Sequence, residues 1–139
     1  MLENIHFTRK EAACQCGCKF DVMDYELILM LEDGRSHFSS IYGKVKIEAT
    51  GWNRCVTHNE EIQKKYVKNY VPFSSESQHP KGKAIDHKYF YWKDNEWMQI
   101  DSDEVYDYYD NKYPKSCGLG KYKNRTHLDS RSYKARWVG

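Results

Sequence analysis

For His79, Asp86 and His127 to act together, the chain must fold so that two segments far apart in sequence become neighbouring strands. His79 and Asp86 stand in Ser77-Gln78-His79-Pro80-Lys81-Gly82-Lys83-Ala84-Ile85-Asp86, and His127 stands in Thr126-His127-Leu128-Asp129. Residues two apart in a strand share a face, so Ala84, Asp86 and Lys88 point one way, as do His127, Asp129 and Arg131. If the two strands pair, Asp86 and His127 converge and His79 arrives from the loop before the first strand. Gly82 suits the sharp turn between a loop ligand and a strand ligand. Two imidazoles and a carboxylate give a tetrahedral metal three ligands and leave one corner for water or substrate, as catalytic zinc requires. Ligand chemistry alone therefore leads to the expectation of a hydrolase.

The rest of the pattern predicts mixed helix and strand. Val22, Met23, Leu27, Met30 and Leu31 follow helical spacing, which predicts a core helix from about Val22 to Leu31. Val45, Ile47 and Ala49 alternate with Lys44, Lys46 and Glu48, the period of a strand with one buried face. Thr57 and Glu60 have capping-box spacing ahead of Ile62, Tyr66, Val67 and Tyr70, a helix that should stop before Pro72. Phe73 to Gln78 reads as a loop. Strands are expected over Lys83–Tyr91 and Glu96–Ile100, joined at Lys93-Asp94-Asn95 as a hairpin. Ser102 is placed to cap a short helix through Val105, Tyr106 and Tyr109, ended by Pro114. A last pair of short strands is expected over Leu119–Tyr122 and Arg125–Arg131. Strands and helices are segregated, so the expected class is α+β, with a small central antiparallel sheet flanked by helices.

Composition narrows the function classes. With 139 residues, one domain spanning 1–139 is expected. Twelve Tyr, five Phe and four Trp imply a core and rim of large rings whose polar tips need partners. A net charge of +2 is too small to argue for nucleic acid. The Tyr and Lys residues from Lys112 to Lys134 are the only support for such a partner, and acidic residues dilute them. No apolar run reaches membrane-spanning length and Met1 to His6 does not read as a secretory signal, so a soluble, monomeric protein made in the cytoplasm is expected. Five cysteines is an odd count, against a disulfide framework. Cys14, Cys16 and Cys18 could chelate a second metal with Cys55 or Cys117, but their spacing is not the C-x-x-C of structural zinc sites. Thiols packed under the sheet, or a disulfide formed later, are the simpler expectation.

The motifs also carry a family resemblance. Ser77, His79, Gly82, Ala84 and Asp86 match the S-x-H-x-x-G-x-A-x-D pattern of the zinc D-Ala-D-Ala carboxypeptidase-like peptidases, a group with VanX-type dipeptidases, phage endolysins and the Hedgehog fold. Gly118-Leu119-Gly120-Lys121-Tyr122, then Thr126-His127-Leu128-Asp129 and Arg136-Trp137, resemble the branch that ends in H-x-D. Gly51-Trp52-Asn53-Arg54-Cys55 with His58-Asn59, and Cys14-Gln15-Cys16-Gly17-Cys18, resemble its upstream segments. The resemblance spans nearly the whole chain.

It implies Zn2+ held by His79, Asp86 and His127, lowering the pKa of a water from about 15.7 to near 7 and polarising a carbonyl. It implies Arg54 as the arginine near the substrate, holding a terminal carboxylate or the oxyanion, with Ser77 hydrogen-bonding beside the site. The implied substrate is a peptidoglycan stem peptide, reached after release from the cell or from a virion. Many relatives have Glu or Asp three residues before the last histidine; Asn124 stands there and cannot accept a proton. Asp129 is the substitute candidate for general base, and the alternative role is to orient a ligand histidine. His6, His37, His58 and His87 are expected to be structural or exposed. Asn124 also leaves open a zinc-binding recognition module without catalysis.

Overall fold

The computed structural model describes residues 7, 9–16, 18, 24–53, 56–66 and 78–139. Among them run four α-helices, one 3-10 turn and six strands. α1 (Arg9–Ala12) is a single turn. α2 (Tyr25–Tyr42) begins where Asp24 takes an extended backbone and its carboxylate accepts from the Leu27 N–H at 3.0 Å. Such a cap stabilises a helix by about 1 kcal/mol. Leu27, Leu31, Gly34 and Phe38 form its buried stripe. The helix runs well past the expected end at Leu31, through Gly34 and three serines that weaken the apolar repeat. Packing demands that glycine: a Cβ there would stand 2.3 Å from the Tyr89 hydroxyl. Val22 and Met23, the expected start, lie outside the described residues.

β1 (Val45–Gly51) buries part of the expected face. Val45 and Ile47 pack against the core, but Ala49 is exposed. The pairing register with the next strand slips between Ala49 and Gly51, which breaks the alternation. α3 (Val56–Tyr66) follows. Its Ile62 and Tyr66 border a cleft, and Tyr66 is exposed. The Thr57 side chain of the expected capping box, and Val67 and Tyr70, lie outside the described residues.

A 3-10 turn, His79–Lys81, closes on Gly82 in the left-handed region at φ 70. It leads into β2 (Ala84–Lys93), which hairpins into β3 (Glu96–Gln99). Asp94 and Asn95 have φ of 52 and 62, the mirror-image turn that two-residue hairpins favour. In α4 (Ser102–Lys112) the cap is Asp101, whose carboxylate accepts from the Asp103 N–H at 2.9 Å. Ser102, the expected cap, is the first helical residue; its hydroxyl reaches the Lys123 carbonyl at 3.0 Å. β4 (Gly118–Lys121) and β5 (Thr126–Asp129) form the expected last pair, and β6 (Ala135–Val138) adds a strand that the sequence pattern does not signal.

The sheet runs β1-β2-β5-β4-β6, with β3 paired to β2. All pairs are antiparallel except β4 with β6, so the expected wholly antiparallel sheet is corrected at that edge. After β5 the chain returns along the free side of β4 in the direction of β4. The segregated helices and strands agree with the α+β class. Ile85, His87 and Tyr89 face α2 and α4: Phe38 packs against Tyr89 at 4.9 Å, and the Tyr89 and Tyr109 hydroxyls share a hydrogen bond of 2.6 Å. Among the described residues no helix is long and apolar enough to cross a membrane.

Candidate metal centre

β2 and β5 pair with Asp86 directly opposite His127, so both side chains leave one face of the sheet. His79 arrives from the 3-10 turn just before β2. His127 Nδ1 lies 2.9 Å from Asp86 Oδ1, and His79 Nε2 lies 3.6 Å from the same oxygen. One donor atom from each of the three falls within 4.8 Å of the others. Ligand atoms about 2.0 to 2.1 Å from a tetrahedral zinc stand roughly 3.3 Å apart. The spacing of this group straddles that value.

The far nitrogen of each ring is anchored. His79 Nδ1–H donates to the Trp52 carbonyl at 2.5 Å, which turns Nε2 toward Asp86. His127 Nε2 meets Asp129 Oδ2 at 2.7 Å, which turns Nδ1 toward Asp86. Metal-ligating histidines are held in this manner, with the second nitrogen bonded to a carbonyl or carboxylate.

The charges match. Burial works to raise the Asp86 carboxyl, but hydrogen bonds from His127 and His79 outweigh it and hold the group well below the usual carboxylate range. Burial likewise favours a neutral His127, and the Asp129 and Asp86 carboxylates overcome it and raise its pKa. The group therefore favours positive charge between its carboxylates, which a bound cation would also supply.

Asp129 is fully buried on the other side of the His127 ring from Asp86. Its Oδ1 accepts from the Gly118 N–H at 3.0 Å and from Arg131 Nε at 2.7 Å. Its Oδ2 accepts from Arg131 Nη2 at 2.7 Å besides meeting His127. Gly118 makes room for this carboxylate, because a Cβ there would stand 2.2 Å from Oδ2. Burial works to raise the Asp129 carboxyl, but His127 and Arg131 keep it below its ordinary value. Arg131, expected only to share a strand face with His127 and Asp129, fixes the carboxylate that holds the ring.

Asp86 also lines a cleft of about 670 Å³, walled by Trp52 and Asn53, by His58 and Gln63 of α3, and by Tyr122 and Arg125. That is ample for a short peptide segment. Asp86 is the only acidic side chain among the described lining residues. The Arg125 guanidinium lies 4.3 Å over the Tyr122 ring and gives the wall a cation. Sequence reasoning expected His58 only as a structural or exposed residue and passed over Arg125. The segment His58-Asn59 could have pointed to the first, whereas nothing local marks Arg125.

Arg54, Ser77, Cys55 and His6 lie outside the described residues. Asn124 is exposed on the β4–β5 connection, where its carbonyl accepts from Gln99 Nε2 at 2.8 Å. His87 is buried on the opposite face of β2, 3.3 Å from the Tyr109 hydroxyl, and burial pushes its pKa down to about 4. His37 stacks on Tyr108 at 4.0 Å. Comparison of the chain with protein-family models, curated proteins and solved structures finds no match.

Proposed function

We propose that the chain is a zinc-dependent peptidase that hydrolyses amide bonds of peptidoglycan stem peptides, on a fold of the Hedgehog and D,D-peptidase kind. The observation that carries the metal reading is the pair of anchored histidines, each presenting its second nitrogen to Asp86. His79 Nε2, the Asp86 carboxylate and His127 Nδ1 would hold Zn2+. When bound, zinc supplies an activated water and a polarised carbonyl. The substrate class rests on the ordered sequence motifs, and wall-directed work would follow release from the cell or carriage in a virion.

The other residues divide the remaining tasks. Asp129, with its oxygens engaged by Gly118, Arg131 and His127, orients the His127 ring rather than taking a proton from water. Arg125 can hold a peptide carboxylate or stabilise negative charge in the cleft, a task that the resemblance also gives to Arg54. Ser77 is assigned a hydrogen bond to the substrate.

A second reading has its own support. The lack of a second acidic side chain among the described lining residues fits a zinc-binding recognition module that has lost catalysis. Digestion of purified sacculi by the zinc-loaded protein separates the two. The peptidase releases new amine groups, and His127→Ala loses amine release together with the zinc held by His79, Asp86 and His127; zinc-loaded protein that binds sacculi without releasing amines overturns the peptidase reading.

A further inference from the structure

Cys14, Cys16 and Cys18 form a second group of potential ligands, distinct from His79, Asp86 and His127. Their sulfur atoms all lie within 4.8 Å of one another, and Cys14 Sγ is 3.4 Å from Cys16 Sγ. Bonded disulfide sulfurs stand about 2.05 Å apart, so that pair is in contact without being joined. Thiolates about 2.3 Å from a tetrahedral zinc are roughly 3.8 Å apart, and the three sulfurs fall around that spacing. Cys14 is buried while Cys16 and Cys18 are exposed, which leaves the cluster open to an entering ion. Cys117 behaves otherwise: it sits in the core, and burial pushes its thiol up to about 11.

We propose that Cys14, Cys16 and Cys18 supply three soft thiolate ligands of a second Zn2+ site, with water completing the four-coordinate shell. Each thiol gives its proton to solvent as its sulfur binds the ion, with no change of oxidation state. The C-x-C-x-C spacing differs from C-x-x-C, yet it brings the three sulfurs within 4.8 Å of one another. The three donors are of the kind that selects zinc over harder cations.

The site also has a place in the architecture. The segment carrying it is pinned to the end of β1: the Asn53 side-chain amide donates to the Ala12 carbonyl at 2.7 Å, and Gln15 Nε2 to the Thr50 carbonyl at 3.4 Å. Between those contacts lies Trp52, whose carbonyl holds His79 Nδ1 and whose ring meets Phe7 edge-on at 5.7 Å. An ion at the cysteines would brace the backbone that orients His79. The thiol site itself does not depend on the peptidase reading.

Cobalt titration of the reduced, metal-free full chain tests this. Thiolate-to-cobalt charge transfer gives a near-ultraviolet band that histidine and carboxylate ligands do not. The band is expected in the wild-type chain and in His127→Ala, and is lost in Cys16→Ser/Cys18→Ser, two exposed positions whose change spares the buried Cys14. The same double variant loses one equivalent of bound zinc, while His127→Ala keeps that equivalent. No band in the wild-type chain, or a band undiminished in the double variant, overturns the proposal. Loss of zinc only at the histidine group would instead count against the peptidase reading and leave the cobalt band in place.

Discussion

Two consecutive residues of strand β2, Asp86 and His87, belong to two imidazole environments on opposite faces. On one side Asp86 meets His127 and His79 beside an open cleft; on the other His87 is buried against Tyr109. The chemical group is the same and the surroundings are opposite. Toward the cleft, carboxylates raise the His127 pKa and leave ring nitrogens converging on one point. Toward the core, burial lowers His87 to about 4 and leaves it a neutral packing element. A histidine becomes a candidate ligand through the face it occupies and the partner on its far nitrogen, more than through its neighbours in sequence.

Substitutions on the two faces should therefore separate metal binding from stability. The largest contrast is between adjacent residues: Asp86→Ala should lose zinc at the histidine group with a far smaller change in stability. Ile85→Ala should cost about 2 to 5 kcal/mol in chemical denaturation and keep zinc, since its side chain fills the core. Zinc titration alongside urea melts reads both, and equal effects of the two variants would break the division between faces.

A smaller effect is expected one step behind the ligands. Asp129→Asn should weaken zinc binding about 10- to 100-fold, the range for loss of a partner that orients a ligand histidine. Competition with a chelator measures it. Unchanged zinc affinity with abolished turnover would return Asp129 to the role of general base.

The smallest effect lies at the rim of the core face, where the Tyr42 hydroxyl donates to Glu104 at 2.6 Å and its pKa is pushed up to about 12, first by that bond and then by burial. A group raised in the folded state stabilises it fully below its unfolded pKa, near 10, and loses that contribution as pH rises through the folded value. The stability difference between the wild-type chain and Tyr42→Phe should thus be constant below pH about 10 and fade toward pH 12, in melts recorded across that range. Zinc binding at the cleft face should be indifferent to the substitution.

Much of the frame was legible in local pattern. Alternation over Lys83 to Tyr91 and the Asp94-Asn95 turn led to the hairpin, because strand period and turn chemistry are both set by near neighbours. The reach of α2 to Tyr42 was not legible, since Gly34 weakens a helix in isolation and is required only by the hydroxyls of Tyr89 and Tyr109 from distant segments. Ser102 had the right chemistry for a cap, but Asp101 took that position and the serine turned to the β4–β5 connection. At the site, the motifs supplied His79, Asp86, His127 and Asp129. They gave no sign of Arg125 in the cleft wall, and for Arg131 only the strand face it shares with Asp129, because the pairings themselves depend on turns whose path local spacing does not encode.

The sequence by itself determined the candidate ligand types and their faces: side chains two apart on a strand must point together, so Asp86 and His127 were available to one another as soon as their strands became neighbours. Only the tertiary structure decided that β2 and β5 are those neighbours, in the register that sets Asp86 opposite His127. It also decided which nitrogen each ring presents, by placing the Trp52 carbonyl behind His79 and the Asp129 carboxylate behind His127. The physical reason is range. Side-chain period is a property of adjacent peptide units, whereas register and ring orientation are fixed by hydrogen bonds between segments that meet only when the chain is folded.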